Sequence, residues 1–207
     1  MKKPLFIAIE GGDGSGKSSL IQALKAELSD LIVVTREPGG SAYGEVIREA
    51  TLKHPLAKDA PASTMLCLMF AARFDHVQNL IIPTLESGKH VITDRFDASS
   101  FTYQIHGQEA PELEAPFWTL RGLLARTPDL YVYIDVDTET GLRRVSARNA
   151  VGTDGNHFDD RKIDFHKRLR EGYKAFFEKV PHIIIDANRS LEEVKKDFIH
   201  EIRARIA

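Results

Sequence analysis

The chain has 207 residues, enough for one sizeable core and too few for two full-sized domains. Hydrophobic residues make up 43% and charged residues 28%, an ordinary globular balance that excludes disordered and fibrous classes. Lys plus Arg number 28 against 30 Asp plus Glu, so no bulk positive field exists to hold a polynucleotide, and no nucleic-acid partner is expected. A local basic pocket for a small anion stays open.

At the N-terminus, Lys2 and Lys3 precede the apolar run Leu5-Phe6-Ile7-Ala8-Ile9, an arrangement superficially like a secretory leader. The run is too short for one, and Glu10 ends it before any cleavage-type site. It reads instead as a first strand. Leu20, Leu24 and Leu28 then recur every four residues, the period of a helix. Leu31-Ile32-Val33-Val34 reads as a second strand, and the uncharged stretch 60–72 falls short of the ~18–20 residues a bilayer span needs. No membrane partner is expected, and a cytoplasmic protein is the default. Within that stretch the single cysteine, Cys67, allows no internal disulfide and is expected to be a small buried core residue.

His90-Val91-Ile92-Thr93, Leu130-Tyr131-Val132-Tyr133-Ile134 and His182-Ile183-Ile184-Ile185 complete the strand candidates. All are rich in β-branched or aromatic residues without polar alternation, as strands buried on both faces of a parallel sheet should be. Residues 104–116 and 149–160 look least like regular structure. The second, with Gly152, Asp154, Gly155 and Asn156, reads as a mobile loop. Phe165, Leu169, Tyr173 and Phe176 mark one stripe of a late helix. Leu191, Val194, Phe198, Ile202 and Ile206 mark a C-terminal one, with Ser190 and Glu193 as its capping box. The expected architecture is a single α/β domain over residues 1–207, an open five-stranded parallel sheet with helices on both faces. Ligands of such sheets sit beyond the carboxyl ends of the strands.

The first strand runs into Gly11-Gly12-Asp13-Gly14-Ser15-Gly16-Lys17-Ser18, a full GxxxxGK[ST] P-loop, with Ser19 beside it. Its glycines let successive backbone N–H groups face a phosphate at the positive end of the next helix. Lys17 would reach the β- and γ-phosphates, and the Ser18 hydroxyl would join a Mg²⁺ shell. The P-loop alone leaves a switch GTPase, a motor or a small-molecule kinase open, although the Asn-Lys-x-Asp of guanine readers does not occur. Arg36, in Thr35-Arg36-Glu37-Pro38-Gly39-Gly40, and Arg95, in Thr93-Asp94-Arg95-Phe96, both follow strands. Two guanidinium groups on that side suggest a second anion site suited to a monophosphate. Asp94 sits where P-loop proteins place a carboxylate near the metal.

Together, 9–18 with its Ile-Glu-Gly start, 35–40 and Asp94-Arg95-Phe96 closely resemble the bacterial thymidylate kinases. Phe70-Ala71-Ala72-Arg73, Pro128-Asp129-Leu130 and Ile185-Asp186-Ala187 extend the likeness along nearly the whole chain. The resemblance implies transfer of the ATP γ-phosphoryl group to dTMP, with Mg²⁺, in a homodimer. By the same resemblance, Arg36 and Arg95 would clamp the dTMP phosphate, and Asp13 would meet the 3′-hydroxyl or shape the phosphate shell. Arg73 would address the thymine carbonyl, with Ser100 and Gln104 at the base edge and Tyr103 under the sugar. Arg148 and Ala187 would line the adenine pocket. Taken alone, Ser100 and Tyr103 suit local packing equally well. Other (deoxy)nucleotide or deoxynucleoside kinases, and a catalytically weak nucleotide-binding module, are the rival readings.

Two positions depart from the family pattern. The stacking Phe usually stands four residues before the base-reading Arg; here that position is Met69, and Phe70 stands three before, on nearly the same helix face. Members with glycine at the Gly14 position normally carry an arginine in a short lid, here roughly 149–162, where this chain has His157. Arg161, one turn later, is expected to supply the missing charge.

Overall fold

Each of the five apolar runs forms a strand, and each strand continues one or two residues further, onto a charged residue. The computed structural model describes residues 3–149 and 162–206, with 148 and 149 as backbone only. The strands are Phe6–Glu10 (β1), Ile32–Arg36 (β2), His90–Asp94 (β3), Leu130–Asp135 (β4) and His182–Asp186 (β5). They pair in parallel in the order β2-β3-β1-β4-β5. Register places Asp94 beside Ile9 on one side and Arg36 on the other, and Asp135 beside Asp186. The charged strand ends therefore share one rim of the sheet.

Strand side chains alternate between faces, and here both faces are covered. Phe6 and Ala8 of β1 point into an aromatic core with Val91, Tyr131 and Tyr133, while Ile7 and Ile9 point into an aliphatic core with Ile92, Val132 and Ile134. The aliphatic face is closed by Lys17–Leu28 (α1), through Leu20, Leu24 and Leu28, and by the C-terminal helix, through Val194, Phe198 and Ile202. Between α1 and that last helix run Ala42–Arg48 (α2), Ala62–His76 (α3), Ile82–Glu86 (α4), Asp97–Ser100 (α5), Glu114–Gly122 (α6), Thr138–Asn149 (α7) and Ile163–Phe177 (α8). Leu191–Ile206 is α9, and its expected capping box is present: the Ser190 N–H donates to Glu193 Oε2 at 3.1 Å, and the Glu193 N–H to Ser190 Oγ at 3.4 Å.

Three expectations are corrected. Residues 104–116 are mostly helical: α5 continues through a wide-turned segment Phe101–Gly107, and α6 begins at Glu114. Pro116 fits because the first turn of a helix has backbone N–H groups with no intrahelical partner. Cys67 is exposed rather than buried. On α3 the inward positions are Met65, Leu66, Met69, Phe70 and Arg73, and Cys67 lies off that stripe. The apolar stretch also runs further than its composition suggested, since α3, the turn Val77–Ile81 and α4 form one helix of 25 residues, Ala62–Glu86, long and apolar enough to cross a bilayer. Half of its most apolar window is buried against the protein, with Arg73 ion-paired and His76 hydrogen-bonded to Glu37 inside, so it is a core helix.

The aromatic core centres on Phe176 of α8, which is fully buried against Phe101, Phe117, Trp118 and Tyr131 at 5.4–6.2 Å between ring centres. Phe176→Ala is expected to lower unfolding free energy by about 3–5 kcal/mol, the range for emptying a buried aromatic site. Urea denaturation should show a lower midpoint with an unchanged slope.

Candidate active site

The P-loop connects β1 to α1, and two of its glycines are there for backbone reasons. Gly16 caps α1 at φ +88°, with no side chain bonded to the helix's first N–H groups, which are left open to an anion. Gly14, at φ +74°, lies so close to Gly141 of α7 that a Cβ would stand 2.1 Å from the Gly141 carbonyl oxygen. A side chain at position 14 of this chain would force the Gly14 and Gly141 backbones apart. Lys17 Nζ rests on the carbonyls of Gly11 and Gly12 at 2.7 and 3.0 Å and on Ser15 Oγ at 3.3 Å. Burial, helped by the nearby Arg95 charge, pushes the Lys17 ammonium down to about 8; a phosphate arriving beside it would favour the charged form again.

Above the P-loop opens a cleft of about 680 Å³ whose walls include Asp13, Ser15, Lys17, Ser18, Ser19, Asp94 and Ala187. Arg48, Arg95, Arg144 and Arg189 also face it. A second cavity of about 130 Å³ adjoins it, lined by Glu37, Met69, Arg73, Phe96, Ser100, Tyr103 and Gln104 among others. Arg48 and Arg95 line both cavities.

Arg95 is the joint between them. It adopts the left-handed conformation at φ +69°, a backbone cost of roughly 1–2 kcal/mol for a residue with a side chain. Its Nη2 donates to Asp13 Oδ1 at 2.9 Å, and its Nη1 to the Gly11 carbonyl, Ser99 Oγ and Tyr173 Oη at 3.0–3.1 Å. Charge-assisted bonds of about 1.5–3 kcal/mol each outweigh that cost. Burial would raise the Asp13 carboxyl, but the charges of Arg95 and Lys17 and the Tyr103 hydroxyl, 3.1 Å from Oδ2, hold it below its ordinary value. Behind Arg95, the fully buried Glu10 accepts from the Phe96 N–H at 2.7 Å, the Ser99 N–H at 3.3 Å and Ser99 Oγ at 2.7 Å, pinning the turn that presents the guanidinium.

In the second cavity Arg73 is 2% exposed, over the rings of Phe70 and Phe96 at 4.8 and 4.9 Å. Its Nε donates to Glu37 Oε2 at 2.8 Å and its Nη2 to Ser100 Oγ at 3.0 Å, while its buried Nη1 has no hydrogen-bond partner among the described residues. An unpaired guanidinium nitrogen inside a cavity wall is suited to a carbonyl oxygen of a ligand.

The structure brings some of the expected site residues to the cavities and leaves others away from them. Arg36 faces neither cavity: it is 54% exposed and paired with Glu45 Oε2 at 3.0 Å. Arg48, at the end of α2 and held by the Pro38 carbonyl at 2.7 Å, does line both. Phe70 is in the aromatic core, 5.5 Å from Phe117, because one residue of helix rotation turns its ring from the cavity to the sheet; Met69 takes the cavity wall. Ser100, Tyr103 and Gln104 line the second cavity, and Ala187 lines the cleft over the P-loop. His157 and Arg161, the lid and the side chain of Arg148 lie outside the described residues. Arg48, Arg144, Arg189 and Glu10 were missed. Arg189 stands just past β5, as Arg95 stands past β3, and that parallel was a usable signal.

A divalent cation fits this rim. Asp94 Oδ1 is buried with no hydrogen-bond partner among the described residues, and the Ser18 hydroxyl lines the same cleft. No cluster of three or more His, Cys, Asp or Glu that could hold a metal occurs among the described residues. That suits an ion held by one or two side chains and completed by water and phosphate oxygens.

A P-loop cleft opening through shared arginines into a second, nucleobase-sized cavity defines an ATP-dependent phosphotransferase of the P-loop class. The family model for thymidylate kinase matches residues 9–198, and the chain belongs to the thymidylate kinase family. It is similar to the thymidylate kinases of Shouchella clausii (40% identical, covering 98% of this chain and 96% of that one) and Hahella chejuensis (34%, covering all of both). The crystal structure of thymidylate kinase from Ehrlichia chaffeensis superposes with a TM-score of 0.75 at 25% identity, covering both chains fully.

Burial pushes the Glu10 carboxyl up from 4.5 to about 7, against the opposing bonds from Ser99 and the charge of Arg95. The folded state then holds more protons than the unfolded one between those values, so stability falls as pH rises from about 4.5 to about 7 and is level above. In urea titrations across that window, the Glu10→Gln variant should gain on the wild type by on the order of 3 kcal/mol. A difference that does not change with pH would contradict this.

Proposed function

We propose that the chain transfers the γ-phosphoryl group of ATP to dTMP, giving ADP and dTDP, with ATP in the larger cleft and dTMP in the smaller cavity. The single observation that carries the reading is the sharing of Arg48 and Arg95 by both cavities: it brings a phosphate acceptor and a triphosphate end to the same guanidinium groups. Phosphoryl transfer asks little covalent chemistry of a protein; positioning and charge stabilisation supply the rate.

Lys17 and the N-terminus of α1 hold the β- and γ-phosphates in this reading. Arg95 and Arg48 draw the acceptor phosphate toward the γ-phosphorus and neutralise the charge that repels it. Asp13 keeps Arg95 at the junction. Arg73 donates to a thymine carbonyl, Ser100 and Gln104 border the base, Met69 packs on it, and Tyr103 crowds the sugar where a 2′-hydroxyl would stand. Ala187, Arg144 and Arg189 face the nucleoside end of ATP, where the family resemblance also assigns Arg148. Ser18 and Asp94 would hold Mg²⁺, which when bound neutralises charge on the phosphate oxygens. Arg161 belongs to the lid, at about 149–162, as a further cation for the transferred group. A single catalytic domain and a homodimer complete the reading, the latter checked by sedimentation.

Two measurements test these roles. Lys17→Ala should lower kcat by about 10²–10³-fold, the scale for losing one stabilising donor, with an unchanged circular dichroism spectrum. Arg48→Ala should reduce kcat/KM for dTMP at least ~10-fold, with little change in KM for ATP, whereas Arg36→Ala should stay within about twofold of wild type. A larger loss at Arg36 than at Arg48 would return the phosphate clamp to Arg36.

A further inference from the structure

His76 is fully buried on α3 and touches neither cavity, yet it sits at the centre of a continuous polar chain. Its Nδ1 is 2.9 Å from Glu37 Oε1, and its Nε2 is 2.8 Å from Thr35 Oγ1. The other oxygen of Glu37 accepts from Arg73 Nε, and Arg73 Nη2 reaches Ser100 Oγ. Two of the three Arg73 guanidinium nitrogens are thus accounted for, and the remaining Nη1 is the one without a partner among the described residues.

Glu37 is buried and accepts from Arg73, and a carboxylate paired with a guanidinium can only accept, which assigns the proton of the 2.9 Å contact to His76 Nδ1. The ring has little freedom to do otherwise. Gly40 packs on it so closely that a Cβ there would stand 2.5 Å from Nε2 and 2.4 Å from Thr35 Oγ1. Without the imidazole, Glu37 would keep one buried oxygen unsatisfied and could rotate toward Arg73, turning the free Nη1 out of line. A guanidinium nitrogen held rigidly has a definite preference: it accepts a carbonyl oxygen as partner and repels an amino group.

We propose that His76 is a positioning residue for nucleobase selection, fixing the Arg73 guanidinium through Glu37 so that the cavity takes bases with a carbonyl where cytosine carries its amino group. This rests on the reading of Arg73 as the base-facing donor.

The test compares kcat/KM for dTMP and dCMP, with KM for ATP alongside, in the His76→Asn and His76→Gln variants. An Asn amide can occupy the Nδ1 position and still donate to Glu37, while a Gln amide falls at Nε2. The dTMP-to-dCMP ratio should stay within about threefold of wild type for Asn and fall at least ~10-fold for Gln, with KM for ATP within about twofold in both. Equal ratios in the two variants, whether both kept or both lost, overturn the relay. A readout that needs no variant is ¹⁵N NMR of histidine-labelled wild-type protein. A protected proton on His76 Nδ1 is expected, and a proton on Nε2 alone overturns the proposal. Arg73→Met separates the two layers. If it leaves the ratio unchanged, the base-reading role of Arg73 fails and this proposal with it; if it collapses the ratio while His76→Gln does not, only the role of His76 is lost.

Discussion

The ion pair between Arg95 and Asp13 joins two turns that the sheet alone would leave merely adjacent. β1 and β3 are neighbours, and each feeds a loop at the same rim: the P-loop after Glu10, and the turn of Arg95 after Asp94. Neighbouring strands bring those loops close, but closeness does not fix a side chain. The 2.9 Å contact to Asp13 and the bonds to the Gly11 carbonyl do so, and they hold Arg95 in a left-handed conformation that an isolated turn would avoid. Remove that tie, and the wall between the two cavities loses its geometry.

Charge balance follows from the same arrangement. Lys17, Arg48 and Arg95 converge where like charges would repel, and the carboxylates of Asp13, Asp94 and Glu10 offset part of that repulsion before any ligand arrives. Burial outweighs the partners of Glu10 and displaces its carboxyl upward, whereas at Asp13 the charges of Arg95 and Lys17 outweigh burial and displace it downward. Two neighbouring carboxyl groups thus have opposite shifts because one faces a cation directly and the other is buried behind it.

Much of this was legible in the sequence, for identifiable reasons. The strands declared themselves because both faces are buried and their apolar runs are unbroken. The P-loop sequence is a contiguous run, and the Ser190 capping box has its partners within three residues, so both are local signals. What was missed depends on contacts between distant segments. Arg48 reaches the cavities only because the β2–α2 turn folds its helix over the rim, with Pro38 holding the guanidinium. The Arg73, Glu37 and His76 chain joins residues 36 and 39 apart in sequence. Phe70 and Cys67 went astray for a narrower reason: on a helix, one residue is about 100° of rotation, and composition does not say which side faces the sheet.

The claim that two phosphate sites meet at shared arginines is tested most directly by the stereochemical course of the reaction. ATP made chiral at the γ-phosphorus with oxygen isotopes, incubated with dTMP and the protein, should yield dTDP with inverted configuration. Inversion is the signature of one in-line displacement between groups held side by side. Retention would require two displacements through a covalent phosphoryl-protein intermediate, and would contradict a mechanism in which the two cavities hand the group across directly.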